Sequence, residues 1–125
     1  MSSEQKEQQE SMTEDRLLDI VTEAIDDMKG VNLMVIDVRD MTSITDRMVI
    51  VSGTSTRHVK SIADTVALKA KHDGFPPLGV EGGQAAEWVL IDLGDVVVHV
   101  MTPAIREFYA LEKLWAVVGD KSEND

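Results

Sequence analysis

Residues 87–101 read EWVLIDLGDVVVHVM, two short apolar runs separated by Gly94-Asp95. Short runs rich in Val, Ile and Leu are strands when turn residues bound them, and a glycine in the first of two turn positions favours a type II′ hairpin. A two-residue turn here fixes the register. Leu93 faces Val96, Asp92 faces Val97, Ile91 faces Val98, Leu90 faces His99, Val89 faces Val100 and Trp88 faces Met101. Opposed residues project from one side of a sheet, and sides alternate along each strand. One side therefore carries only aliphatic residues, Val89, Ile91, Leu93, Val96, Val98 and Val100, and belongs under packed helices. The other carries Trp88, Leu90, Asp92, Val97, His99 and Met101, large apolar groups mixed with a carboxylate and an imidazole. Such a mixture suits an exposed recognition face, where tryptophan is a favoured anchor. The competing reading is that another helix or the tail of the same chain covers this side, with His99 hydrogen-bonded inside. A slip of one residue at the turn would exchange the two sides.

Working outward, residues 1–13 (MSSEQKEQQESMT) are polar and read as a disordered tail. A helix starts near Ser11 or Thr13, with Ser11 and Glu14 at capping-box spacing, and turns Leu17, Ile20, Val21, Ala24, Ile25 and Met28 to one face before Lys29-Gly30 stops it. Residues 33–38 (LMVIDV) read as a central strand, and residues 47–52 (RMVIVS) as its antiparallel neighbour. Gly53-Thr54-Ser55-Thr56 opens a second helix whose buried face is Val59, Ile62, Ala63, Val66, Ala67 and Ala70, ended by Gly74. Pro76-Pro77 breaks the chain before a short strand at Leu78–Val80. After the hairpin, Thr102 caps a last helix with Pro103 at its first position and Ile105, Phe108, Leu111, Trp115 and Val118 as its stripe. The order predicts an α/β domain, a mixed five-stranded sheet with packed helices, over residues 14–118, followed by a polar C-terminal tail at 119–125.

A chain of 125 residues fits one domain with a real core, and 43% apolar against 4% aromatic residues makes that core aliphatic. There is no cysteine, no apolar run long enough to cross a bilayer and no segment of signal type, so a soluble cytoplasmic protein is expected. A net charge of −11 works against nucleic-acid phosphates and anionic membranes and favours a basic protein surface as partner. Catalytic constellations are missing. Residues 53–56 could hold a phosphate, but neither GxxxxGK[ST] nor GxGxxG is present, and helix capping accounts for them. Asp37 with Asp40, and Asp92 with Asp95, lack the alternate spacing that aims two carboxylates to one side of a strand. His58, His72 and His99 lie far apart, the first two at helix ends where surface positions are expected. No GxSxG elbow occurs. No enzyme, metal or cofactor is expected.

Three stretches are more specific: ITDRMVIVSGTSTRHVKSIAD at 44–64, PLGVEGGQAAEWVLIDLGDVVVHVM at 77–101 and REFYALEKLW at 106–115. Together and in this order they resemble the ribosomal silencing factor family, also called Iojap-like, over roughly residues 17–117. The resemblance implies a nucleotidyltransferase-like topology without the catalytic carboxylates. It implies binding to the large ribosomal subunit through large-subunit ribosomal protein fourteen (uL14), on the face that meets the small subunit. Translation would be repressed sterically, by blocking subunit joining when nutrients are scarce; related organellar members take part in ribosome assembly. It also implies a homodimer in the absence of ribosomes, no specific contact with nucleic acid and no membrane. Carried onto this chain, the partner contacts are Trp88, Leu90, Asp92, Val97, His99 and Met101. The alternatives are a nucleotide-binding, nucleotidyltransferase-like remnant that uses residues 53–56 as a phosphate cradle, or a ribosome assembly factor.

Overall fold

The computed structural model describes residues 3–82 and 85–113, residues 3–12 as backbone only. Helix α1 (Ser3–Asp27) leads into strands β1 (Val31–Asp37) and β2 (Arg47–Ser52), helix α2 (Thr56–His72), strands β3 (Gly79–Glu81), β4 (Trp88–Asp92) and β5 (Val96–Met101), and helix α3 (Pro103–Tyr109). The strands form one sheet in the order β1-β2-β5-β4-β3. β2 and β5 are parallel and the other neighbours antiparallel, so the sheet is mixed as expected.

The hairpin has the register that a two-residue turn dictates, from Trp88 opposite Met101 to Asp92 opposite Val97. The Leu93 N–H donates to the Val96 carbonyl at 2.9 Å. Gly94 has φ +84° and Asp95 has no positive φ, the pattern a type II′ turn requires. Val89, Ile91, Leu93, Val96, Val98 and Val100 then pack with Leu17, Val21, Ala24 and Ile25 of α1 and Val59, Ile62, Ala63, Val66 and Ala70 of α2 in a single aliphatic core. α2 is capped by Ser55, whose Oγ accepts from the His58 N–H, and ends where Gly74 turns to φ +97°.

Four expectations need correction. α1 begins at Ser3, not at Ser11 or Thr13, so residues 3–13 continue the helix rather than form a tail. Glu, Gln, Lys and Met favour helix, and no Gly or Pro precedes Gly30. Glu14 is then no cap partner; it is 6% exposed, with Oε1 2.8 Å from Nη1 of Arg47. β1 is an edge strand and not a central one. It pairs only with β2, a register shift between Val31 and Met34 interrupts that pairing, and Val31, Leu33, Met34 and Val35 remain 37–41% exposed. β3 runs Gly79–Glu81, one residue later than expected, with the Leu78 N–H just before it donating to the Asp92 carbonyl of β4 at 2.8 Å. α3 stops early. Ala110 adopts a left-handed conformation at φ +50°, its N–H bonded to the Arg106 carbonyl, and Phe108 is 79% exposed rather than part of a buried stripe. Trp115, Val118 and the tail at 119–125 lie outside the described residues. Among the described residues no helix is long and apolar enough to cross a membrane.

Candidate functional site

The second side of the sheet carries Trp88, Leu90 and Asp92 from β4 and Val97, His99 and Met101 from β5. The structure does not leave all six exposed. Val97, His99 and Met101 are buried, at 9%, 6% and 0% exposure. Trp88, Leu90 and Asp92 are half-buried. Met101 belongs to a small apolar cluster with Val38, Met48 and Ile50, against which Ile36, Met41, Trp88, Ile105 and Leu111 pack. The chain after β1 and the residues of and beyond α3 thus roof part of this side and leave Trp88, Leu90 and Asp92 half-buried.

Asp92 is committed to the turn, its Oδ1 accepting from the Gly94 N–H at 2.9 Å. The indole Nε1–H of Trp88 donates to Nδ1 of His99 at 3.0 Å. Burial pushes the pKa of His99 down to about 4, so the ring is neutral at neutral pH and carries its proton on Nε2. On its other side the Trp88 ring meets Tyr109 at 4.9 Å between centroids, tilted by 53°, and Tyr109 meets Phe108 edge-on at 5.0 Å. Tyr109 is 52% exposed. A continuous aromatic series therefore rises from His99 in the sheet to Phe108 at the surface, and it contains three of the chain's five Trp, Tyr and Phe residues. Such edge-to-face and tilted contacts are favourable in themselves.

Arg106 holds this arrangement from below. It is 9% exposed, its Nε donates to Glu112 Oε1 at 3.0 Å and its Nη1 donates to Ser52 Oγ at 3.1 Å. These bonds tie α3, and the short turn after it, to the end of β2. Reading the sequence placed Phe108 in the core and gave Tyr109 no part. A usable signal was present: two adjacent aromatics lie about 100° apart around a helix and cannot both face the sheet.

The remaining candidates serve the fold. Thr54 N–H donates to His58 Nδ1 at 2.8 Å, and His58 Nε2–H donates to the Met28 carbonyl at 2.7 Å. His58 is thus a half-buried strut between α1 and α2 rather than a free surface residue, whereas His72 is exposed as expected. Ser55 Oγ accepts from the His58 N–H and the Gly53 N–H donates to the Met101 carbonyl, so part of the 53–56 turn is engaged in capping α2 and joining it to the sheet. A Cβ at position 53 would stand 2.7 Å from Val59 N, so Gly53 is explained by the close approach of α2. The hydrogen-bonded guanidinium of Arg39 pulls Asp37 down to about 2, an ion-pair effect with no catalytic partner. Among the described residues, no group of three His, Asp or Glu side chains could hold a metal ion.

What the fold presents is an α/β domain with aromatic side chains exposed beside its sheet. The family model for a ribosomal silencing factor during starvation matches residues 9–125. The ribosomal silencing factor of Chromobacterium violaceum is 45% identical over 77% of this chain and 79% of its own, and that of Haemophilus influenzae 44% identical over 80% and 98%. A crystal structure of a Chromobacterium violaceum protein has a TM-score of 0.80 at 42% identity, covering 82% of this chain and 85% of that one. The chain belongs to the ribosomal silencing factor family.

Proposed function

We propose that the chain binds the large ribosomal subunit in the cytoplasm through ribosomal protein uL14 and blocks, by its bulk alone, association with the small subunit when nutrients are limiting. The observation that carries this reading is the Trp88–Tyr109–Phe108 series, apolar surface beside a sheet in a chain of net charge −11. Aromatic anchors supply most of the affinity of a protein interface, while the acidic body matches a basic ribosomal protein and repels RNA on the approaching subunit. In this reading Trp88, Leu90 and Asp92 form the contact rim, and Val97, His99 and Met101 the layer that supports it. The same apolar surface pairs two copies when no ribosome is present, and that homodimer parts on binding. The topology is read as nucleotidyltransferase-like, retained as a scaffold.

The test is co-sedimentation of wild type, Trp88→Ala and Phe108→Ala with purified large subunits, with small subunits added to half the samples. Wild type should travel with the large subunit and suppress joined ribosomes. Trp88→Ala should lose about 2 kcal/mol, roughly thirtyfold in affinity, and release subunit joining while keeping its circular dichroism spectrum. Wild type left in the supernatant would sink the proposal. Binding to large subunits depleted of uL14 would sink the choice of partner.

A further inference from the structure

We infer that the imidazole of His99, too deep for a partner to touch, is a positioning residue that sets the orientation of the Trp88 indole and hence the shape of the recognition surface. The inference rests on the proposed role of Trp88 as anchor. His99 lies in β5 between Ile50 of β2 and Leu90 of β4, its register partners on either side, and both are uncharged. A buried imidazole in an otherwise aliphatic strand brings polar atoms into apolar surroundings, where a nitrogen left without a partner is costly. For Nδ1 that partner is the Trp88 indole N–H, at 3.0 Å. The contact is diagonal, since His99 is opposite Leu90 and Trp88 is opposite Met101, a reach across the sheet that only long or aromatic side chains make. Trp88 has two side-chain torsions. The bond at its N–H edge and the Tyr109 ring against it leave the indole one orientation.

Burial keeps the imidazole neutral, which leaves Nδ1 free to accept. A residue of similar volume without an acceptor would fill the same space and strand the indole N–H, which would then turn toward water and drag the ring out of register with Tyr109. A residue with a carbonyl oxygen near the position of Nδ1 would restore the bond.

The experiment uses the full chain carrying Trp115→Phe, so that indole emission reports Trp88 alone. His99→Phe and His99→Asn are compared with the parent by circular dichroism, emission spectrum and affinity for purified large subunits, and Trp88→Ala by circular dichroism and affinity. His99→Phe should fold, shift the Trp88 emission and bind about tenfold more weakly, the cost of one lost and one stranded hydrogen-bonding group; His99→Asn should stay within about threefold of the parent. If His99→Phe binds as the parent does while Trp88→Ala fails, the positioning role is wrong and the anchor stands. If His99→Asn is as weak as His99→Phe, the ring acts by packing and the inference falls. If Trp88→Ala binds normally, the anchor itself is wrong and the positioning role falls with it. Should His99→Phe not fold, the parent protein still decides by nitrogen-15 NMR. A slowly exchanging Trp88 indole proton beside an imidazole protonated at Nε2 supports the inference, and an indole proton exchanging at the free-solvent rate overturns it.

Discussion

A histidine held neutral inside a sheet makes stability depend on pH in a definite sense. The folded pKa of His99 is about 4, against roughly 6.5 in the unfolded chain. Above the unfolded value neither state carries the proton, so His99 contributes no pH dependence. As pH falls toward 4 the unfolded chain takes up a proton that the folded chain refuses, and stability drops by up to roughly 3 kcal/mol before levelling off. Urea midpoints between pH 7.5 and 4 should show this loss in the wild type, and His99→Phe should flatten the part of the slope that His99 supplies. Asp37 acts in a lower window. Its pKa, held at about 2 by the hydrogen bond from Arg39, gives stability present above the unfolded carboxyl value and lost as pH falls toward 2. That contribution is small because the pair is half exposed. At this scale the sequence was partly legible. The turn at Gly94 told which six residues share a side of the sheet, since pairing follows from register. It could not tell that Val97, His99 and Met101 lie deep while Trp88 reaches the rim, because depth is set by Val38, Met41 and Ile105 from other parts of the chain.

The hairpin turn and the end of α3 are the elements on which the site depends, and they fail differently. At Gly94 a Cβ would meet only Leu78 Cδ1, at 3.6 Å, so Gly94→Ala costs only the left-handed backbone, about 1 kcal/mol by chemical denaturation. Arg106→Ala strips a half-buried carboxylate of its cation and removes the bond to Ser52, and should cost about 2 kcal/mol, releasing α3 and with it Tyr109 and Phe108. Arg106→Met combined with Glu112→Leu should recover much of that loss, because no half-buried charge is left without a partner. α2, β2 and the hairpin were legible because hydrophobic period, caps and turn residues agree there. β1 was not: LMVIDV has the apolarity of a strand flanked on both sides, yet apolarity does not count neighbours, and the parallel pairing of β2 with β5 leaves β1 at the edge. The end of α3 was hidden for a related reason. Ala110 is an excellent helix former, yet it turns left-handed there, where its N–H bonds the Arg106 carbonyl and Arg106 reaches Glu112, six residues on.

Taken as one body, the protein pairs a strongly acidic exterior with a small aromatic surface, and ionic strength should separate the two. Raising salt from about 50 to about 200 mM should weaken large-subunit binding several-fold, mainly through slower association, while Trp88→Ala should chiefly speed dissociation; surface-immobilised large subunits would read both rates. The sheet order has a consequence of another kind. β5 is the last strand made and yet is wedged between β2 and β4, with every one of its six residues buried. Until Val96–Met101 exists, β2 has no partner on that side and the aliphatic core has no floor. A nascent chain therefore cannot close this domain piecemeal while it is being synthesised. β5 must be made, and released far enough to slide into its slot, before the sheet and its core are native, and for the same reason they should come apart in a single step.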